Sequence, residues 1–356
     1  MVTAVSTYDP RANLQIGKNT HHPNGGIMAE IEGLITVYND GRVERSSIVP
    51  NVAASSLPQH LGITCGDVAI FDPSRLWARV YVPSGFPAGR LPVLVYFHGG
   101  GFCVGSAAWK CYHEFLANLS SQIPCVTVSV NYRLAPEHRL PAAYDDGVRA
   151  VAWVKQQASK SYSGAGRDSL SWWTDKCDFS RIFLAGDSAG ANIAYNVASR
   201  LINNNTTSAA AAANGGGGVK GLVLIQPFFG GEARTNSEKH AAQPPFSALT
   251  LAASDAYWAL ALPEGCSRDH PWCNPLAAAT RMNNLKLLPP TMVCISEMDI
   301  LKDRNIGFCA AMGTAVEKVV YKGVGHAFQI LHNSPLSHPR THEMMSHLRS
   351  FVVHHH

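Results

Sequence analysis

The sequence predicts a single α/β domain with a mostly parallel central sheet flanked by helices. Two observations carry this. Short continuous apolar runs, as expected of strands buried on both faces, recur along the chain. Helical stretches alternate with them, which gives a sheet covered on both sides. A length of 356 residues is within reach of one such domain.

The elements follow in order. Residues 1–28 are polar and rich in Asn, His and Gly, and read as a flexible extension; Met28 offers a shorter start. Leu34–Val37 and Val43–Arg45 flank Asn39-Asp40-Gly41, a hairpin turn. A strand pair is expected at Val68–Phe71 and Leu76–Val82, closed by Pro83, Ser84 and Gly85. Buried strands are expected at Val93–Phe97, Cys125–Val130, Ile182–Ala185, Leu222–Ile225, Thr291–Ile295 and Lys318–Tyr321. Helices are expected near Trp109–Ser121, Pro141–Gln157, Ala189–Ile202, Ile300–Met312 and Pro339–Val352. Pro141 suits a first helical turn. The Asn-, Ala- and Gly-rich insert 203–218 reads as a mobile surface loop. The domain thus spans 29–352, with a short tail at 353–356.

Composition limits the function classes. Hydrophobic residues are 46% and charged residues 15%, ample for a large core. The net charge is +4 with no basic run, so no nucleic-acid partner is expected. No apolar run is long enough for a membrane span, and no secretory signal is seen at the N-terminus. Nine cysteines are irregularly spaced with no CxxC pair, which disfavours a zinc site. Reduced thiols in a cytoplasmic or nuclear setting are the simpler reading, one or two disulfides the other.

Four motifs carry chemistry. Gly186-Asp187-Ser188-Ala189-Gly190 follows a predicted strand and opens a predicted helix, the setting of a nucleophile elbow. His98-Gly99-Gly100-Gly101-Phe102 follows another strand, and its consecutive glycines expose backbone N–H groups suited to an oxyanion. His98 itself reads as a residue that orders this loop. Glu297, Asp299 and Asp303 follow the strand at Thr291–Ile295; Asp299 is the expected partner of a histidine, Asp303 a helix or loop residue. His326 lies in Gly323-Val324-Gly325-His326-Ala327-Phe328. The order Ser188, Asp299, His326 matches the Ser…Asp…His order of α/β-hydrolases. All four motifs stand at predicted C-terminal strand ends, where open α/β sheets place their sites.

Beyond these motifs, Asn192, Asn131-Tyr132-Arg133-Leu134-Ala135-Pro136-Glu137, Leu140–Asp146 and Trp258 with Leu262-Pro263-Glu264-Gly265, His270-Pro271 and Asn274-Pro275 complete a pattern. The chain from about residue 29 to 352 resembles the plant carboxylesterases of the hormone-sensitive-lipase group. The resemblance implies an α/β-hydrolase core, a small cap built partly from the N-terminal segment, and a pocket between them. It puts nucleophile, acid and base on Ser188, Asp299 and His326. It puts the oxyanion hole on Gly99, Gly100, Gly101 and Ala189, with the amides of Gly100 and Gly101 favoured and Gly99 shaping the turn. Phe102, Asp187, Phe228, Phe229 and Trp258 are placed near the substrate pocket, although core packing explains Phe228, Phe229 and Trp258 equally well. The expected substrate is a small-molecule ester, and the mechanism needs no metal or organic cofactor. Two relatives keep alternatives open. The gibberellin receptor resembles these enzymes but lacks the catalytic histidine, which His326 supplies here. The 2-hydroxyisoflavanone dehydratases use the same site for elimination, with threonine at the nucleophile in their closest forms, where this chain has Ser188.

Overall fold

Eight strands make the central sheet of the computed structural model, which describes residues 26–71, 76–86, 89–162, 169–206, 218–241, 247–277 and 285–355. They are β4 (Ile63–Phe71), β5 (Leu76–Pro83), β6 (Leu91–Phe97), β7 (Val126–Asn131), β8 (Cys177–Asp187), β9 (Val219–Ile225), β10 (Thr291–Ser296) and β11 (Val316–Tyr321). Their order is β11-β10-β9-β8-β6-β7-β5-β4. The run from β11 to β7 is parallel. β5 and β4 join antiparallel at one edge. The helices among the described residues are α1 (Lys110–Gln122), α2 (Ala142–Tyr162), α3 (Ser171–Thr174), α4 (Ala189–Thr206), α5 (Asn236–His240), α6 (Leu251–Ala261), α7 (Lys302–Met312), α8 (Phe328–Leu331) and α9 (Ser337–His354).

Period-two alternation explains how helices cover both faces. Val93, Val95, Phe97, Leu184 and Leu224 point to one face, where Val151 and Val154 of α2 and Ile193 and Val197 of α4 cover them. Leu94, Tyr96, Phe183 and Val223 point to the other, beneath Phe115 and Leu119 of α1 and Leu348 and Phe351 of α9. Both sides are apolar, so these strands read in sequence as unbroken apolar runs.

The chain passes from β6 to β7 on one side, then returns to place β8 on the other side of β6. Loops after β6 and β8 therefore part in opposite directions and leave a crevice at their C-terminal ends.

A second, three-stranded antiparallel sheet is formed by β1 (Ile27–Ile31), β2 (Ile35–Tyr38) and β3 (Val43–Arg45), with the expected Asn39-Asp40-Gly41 turn between β2 and β3. Arg45 fastens it to the core: Nε donates to the Cys103 carbonyl at 2.6 Å, and Nη2 to the Ala135 carbonyl at 2.9 Å. The same guanidinium pairs with Glu137. β1 packs against α6, so the two form a cap over the crevice.

Several boundaries differ from the sequence reading. β1 begins at Ile27, inside the expected extension, of which 1–25 lie outside the described residues. α4 carries on through Asn203–Thr206, the first residues of the insert; 207–217 lie outside the described residues. Val353 and His354 belong to α9 rather than to a tail. α2 starts at Ala142, with the Pro141 carbonyl accepting the amides of Tyr144 and Asp145. β4 starts at Ile63, five residues before the expected strand, and α6 is a helix that the sequence reading does not contain.

Candidate active site

Ser188 stands between β8 and α4 with φ of +52°, a conformation that side chains with a Cβ rarely adopt. The turn survives because its neighbours hold it. The Ser188 amide donates to the Ile225 carbonyl at 2.8 Å, and the Phe228 amide donates to the Ser188 carbonyl at 3.0 Å. Both flanking glycines are required by space: a Cβ on Gly190 would lie 1.9 Å from the Phe97 carbonyl oxygen, and one on Gly186 2.4 Å from Gly190. Asn192, one turn into α4, accepts from Tyr144 Oη and donates to the carbonyls of Phe228 and Trp272.

Three expected residues meet here. His326 Nε2 lies 2.8 Å from Ser188 Oγ, and His326 Nδ1 lies 2.6 Å from Asp299 Oδ2. With Nδ1–H donated to the carboxylate, Nε2 is left as an acceptor facing the hydroxyl. Asp299 follows β10 and is fixed by the Leu301 amide, which donates to Oδ1 at 3.0 Å. The other two acids are engaged elsewhere: Glu297 accepts from the Gly323 amide, and Asp303 from the Ser237 amide.

Sequence reasoning missed one brace of this arrangement. Gln226, directly after β9, is fully buried, and its Oε1 accepts the Ala327 amide at 2.7 Å. Its Nε2 donates to Ser296 Oγ and Gln329 Oε1. It thereby ties the His326 loop to β9 and β10. Its place at a C-terminal strand end was the available signal.

The glycine loop after β6 lies beside Ser188. Gly100 and Gly101, with φ of +109° and +59°, border the same cavity as Ser188 and His326. The amides of Gly100, Gly101 and Ala189 take no acceptor among the described residues. Gly99 is different and corrects the expectation that it belongs to the oxyanion hole. Its amide is occupied, 2.8 Å from Tyr112 Oη and 3.0 Å from Asp187 Oδ1. His98 faces inward, stacked on Tyr132 at 4.3 Å with Nδ1 2.8 Å from the Gly99 carbonyl oxygen. Burial lowers its pKa to about 4, so it stays neutral and orders the loop, as expected.

The cavity over Ser188 measures about 1250 Å³. One wall comes from the cap, through Ile31 and Leu34 of its sheet and Tyr257 of α6; another from Val49, after that sheet; a third from the segment after His326, through Ile330 and His338. Of the five expected pocket residues, Phe228 and Asp187 border it. Phe102, Phe229 and Trp258 do not, and core packing accounts for them. Trp258 stacks on Phe228 at 4.7 Å, Phe102 lies against both, and Phe229 packs on Phe308 at 4.9 Å. Tyr257, the neighbour of Trp258, was missed. Its ring lies on the glycine loop, 2.3 Å from where a Cβ on Gly101 would stand.

Residues 94–330 match a family model described as alpha/beta hydrolase fold. The chain is 46% identical to probable carboxylesterase 6 of Arabidopsis thaliana, over 99% of this chain and 97% of that one. It is 34% identical to 2-hydroxyisoflavanone dehydratase of Glycyrrhiza echinata, over 92% and 96% respectively. Among solved structures, an esterase of Pyrobaculum calidifontis is 29% identical with a TM-score of 0.64, covering 82% of this chain and 86% of that one. With its parallel sheet, its strained serine turn and matches that run nearly end to end, the chain belongs to the alpha/beta hydrolase family, alongside the plant carboxylesterases.

Proposed function

We propose that this carboxylic ester hydrolase is a serine carboxylesterase that cleaves short-chain esters of small metabolites through an acyl-enzyme on Ser188. One observation carries the reading: an unbroken hydrogen-bonded line from Asp299 through His326 to Ser188, opening into a large cavity that Gly100 and Gly101 also border. Ser188 Oγ attacks the ester carbonyl carbon as its proton passes to His326 Nε2. The carbonyl electron pair becomes an oxyanion held by the amides of Gly100, Gly101 and Ala189. Collapse expels the alcohol, which takes the proton from Nε2. Water then attacks the acyl carbon with His326 again as base, releasing the acid and restoring Ser188. Asp299 fixes the tautomer and favours the imidazolium.

The start of α4 at Ala189 adds the positive end of a helix dipole to the oxyanion side. The substrate is a small-molecule ester. All nine cysteines stand unpaired, which suits a cytoplasmic or nuclear setting where thiols stay reduced. No helix among the described residues is long and apolar enough to cross a membrane.

The test is hydrolysis of p-nitrophenyl acetate and butyrate by wild type and Ser188→Ala. Turnover in wild type and its loss in the variant, by about 10⁴-fold or more, is the expected result. Equal turnover in both would overturn it. The similarity to a dehydratase supports elimination as a second reading, and product analysis separates them: acid plus alcohol, or a dehydrated product.

A further inference from the structure

The geometry points to Asp187 as a positioning residue: its carboxylate, beneath the serine turn, holds the oxyanion loop in place through the Gly99 amide. This rests on the ester-hydrolase reading above and assigns Asp187 a task other than substrate contact. The residue is 1% exposed. Its Oδ1 accepts from Tyr96 Oη at 2.8 Å and from the Gly99 amide at 3.0 Å, and its Oδ2 from Tyr112 Oη at 3.0 Å. Tyr112 Oη also accepts from the Gly99 amide at 2.8 Å. One carboxylate thus joins β6, α1 and the first glycine of the loop, from a place adjacent to the serine.

Nothing larger than glycine could sit there. A Cβ on residue 99 would lie 2.6 Å from Asp187 Oδ2 and 2.9 Å from Tyr112 Oη. Gly100 and Gly101 follow directly, so the tilt of the Gly99 peptide sets where their free amides point. Oxyanion donors act through preorganised direction, and a displacement of about 1 Å at such a site costs about a hundredfold in rate.

The groups facing this carboxylate are Tyr96 of β6, Tyr112 and Cys111 of α1, Tyr132 after β7, and His326 after β11. Among the described residues, neither lysine nor arginine is one of its hydrogen-bond partners. Burial raises its pKa to about 6, against the lowering effect of the tyrosine hydroxyls, His326 and the Gly99 amide. Burial also holds Tyr96 and Tyr112 well above their ordinary range, so both remain donors. A protonated Asp187 carries a hydrogen where it must accept one, and the charge-assisted hold on Gly99 is lost.

The experiment is a pH–rate profile of p-nitrophenyl acetate hydrolysis for wild type, Asp187→Asn and Tyr112→Phe, with thermal melts to establish folding. In wild type Asp187 must be deprotonated to hold Gly99, so its protonation near pH 6 steepens the acid limb of log(kcat/KM) by up to one order per pH unit. Asn mimics the protonated acid in shape and hydrogen content. The expected result is a kcat lower by about ten- to a hundredfold with KM changed less than about threefold, and an acid limb shallower than that of wild type. Tyr112→Phe, which keeps the carboxylate but loses one tether, should lower kcat by less and keep the steeper wild-type acid limb. If Asp187→Asn keeps its kcat within about twofold, or loses rate while retaining the wild-type slope, the positioning role is overturned. Should Asp187→Asn not fold, a Tyr112→Phe kcat equal to wild type would overturn it, and a lower kcat at unchanged KM would support it. Absence of Ser188-dependent turnover in wild type would overturn the esterase reading and this role together; Ser188-dependent turnover with unaffected variants would overturn this role alone.

Discussion

His326 Nδ1 lies 2.6 Å from Asp299 Oδ2, across 27 residues of sequence. Topology brings them together: β10 and β11 are adjacent and parallel, so the loops that follow them rise from the same edge of the sheet. Asp299 is 1% exposed, and a buried carboxylate this close to the ring accepts Nδ1–H and leaves Nε2 free to take a proton.

Asp299→Asn should therefore lower kcat by about 10⁴-fold with KM changed less than about threefold, because the amide offers a donor where the ring needs an acceptor. p-Nitrophenyl ester kinetics on folded protein provide the check. A variant keeping a tenth of wild-type kcat would mean that the carboxylate does not set the histidine tautomer.

The residues of this line were legible in the sequence because each has two signals, a residue type and a place. Ser188, Asp299 and His326 all follow apolar runs, and their chain order agrees with the template. The pocket walls had no comparable signal. α6 is apolar on nearly all sides, so no stripe marked it as a helix or told its cavity face from its core face. One residue advances a helix by about 100°, which is why Tyr257 borders the cavity while Trp258 is stacked in the core. The first half of β4 was missed because Gly66 and Asp67 interrupt its pattern. Asp67 is there to receive Arg79, whose guanidinium is 2% exposed and bonds both carboxylate oxygens, a pairing that periodicity cannot reveal.

Tyr257 should limit the acyl or alcohol group that can enter over the oxyanion loop. Its ring fills the space above Gly101, so Tyr257→Ala opens that part of the cavity. We expect the ratio of kcat/KM for p-nitrophenyl octanoate to that for acetate to rise by about tenfold, the low end of the about 1–3 kcal/mol that room for a single further methylene is worth. The two esters assayed side by side give the answer, and an unchanged ratio would show that the ring does not bound the substrate.

The pH dependence of stability should carry the mark of His98. Its ring is fully buried between Tyr132 and Tyr112, and Nε2 has no hydrogen-bond partner among the described residues. Burial lowers the folded pKa to about 4 from an ordinary value of 6.5. Between those values the unfolded chain binds the extra proton, so stability rises with pH; the contribution is complete above about 6.5 and lost as pH falls toward 4. His113, beside Arg79, is shifted the same way to about 4, chiefly by burial. Asp187 opposes them. Its raised pKa means that the folded state holds the extra proton between about 4 and 6, which favours the fold on the acid side. His98, His113 and His332, all lowered chiefly by burial, act against this one carboxylate and leave a net rise in stability from pH 4 to 6.5. His98→Asn keeps a donor near the Gly99 carbonyl and removes the titration, so its melting temperature should climb less steeply than that of wild type across this window. Thermal melts in half-unit pH steps measure the two slopes. Parallel curves would mean that the His98 ring titrates alike in the folded and unfolded chain, against its burial beneath the glycine loop.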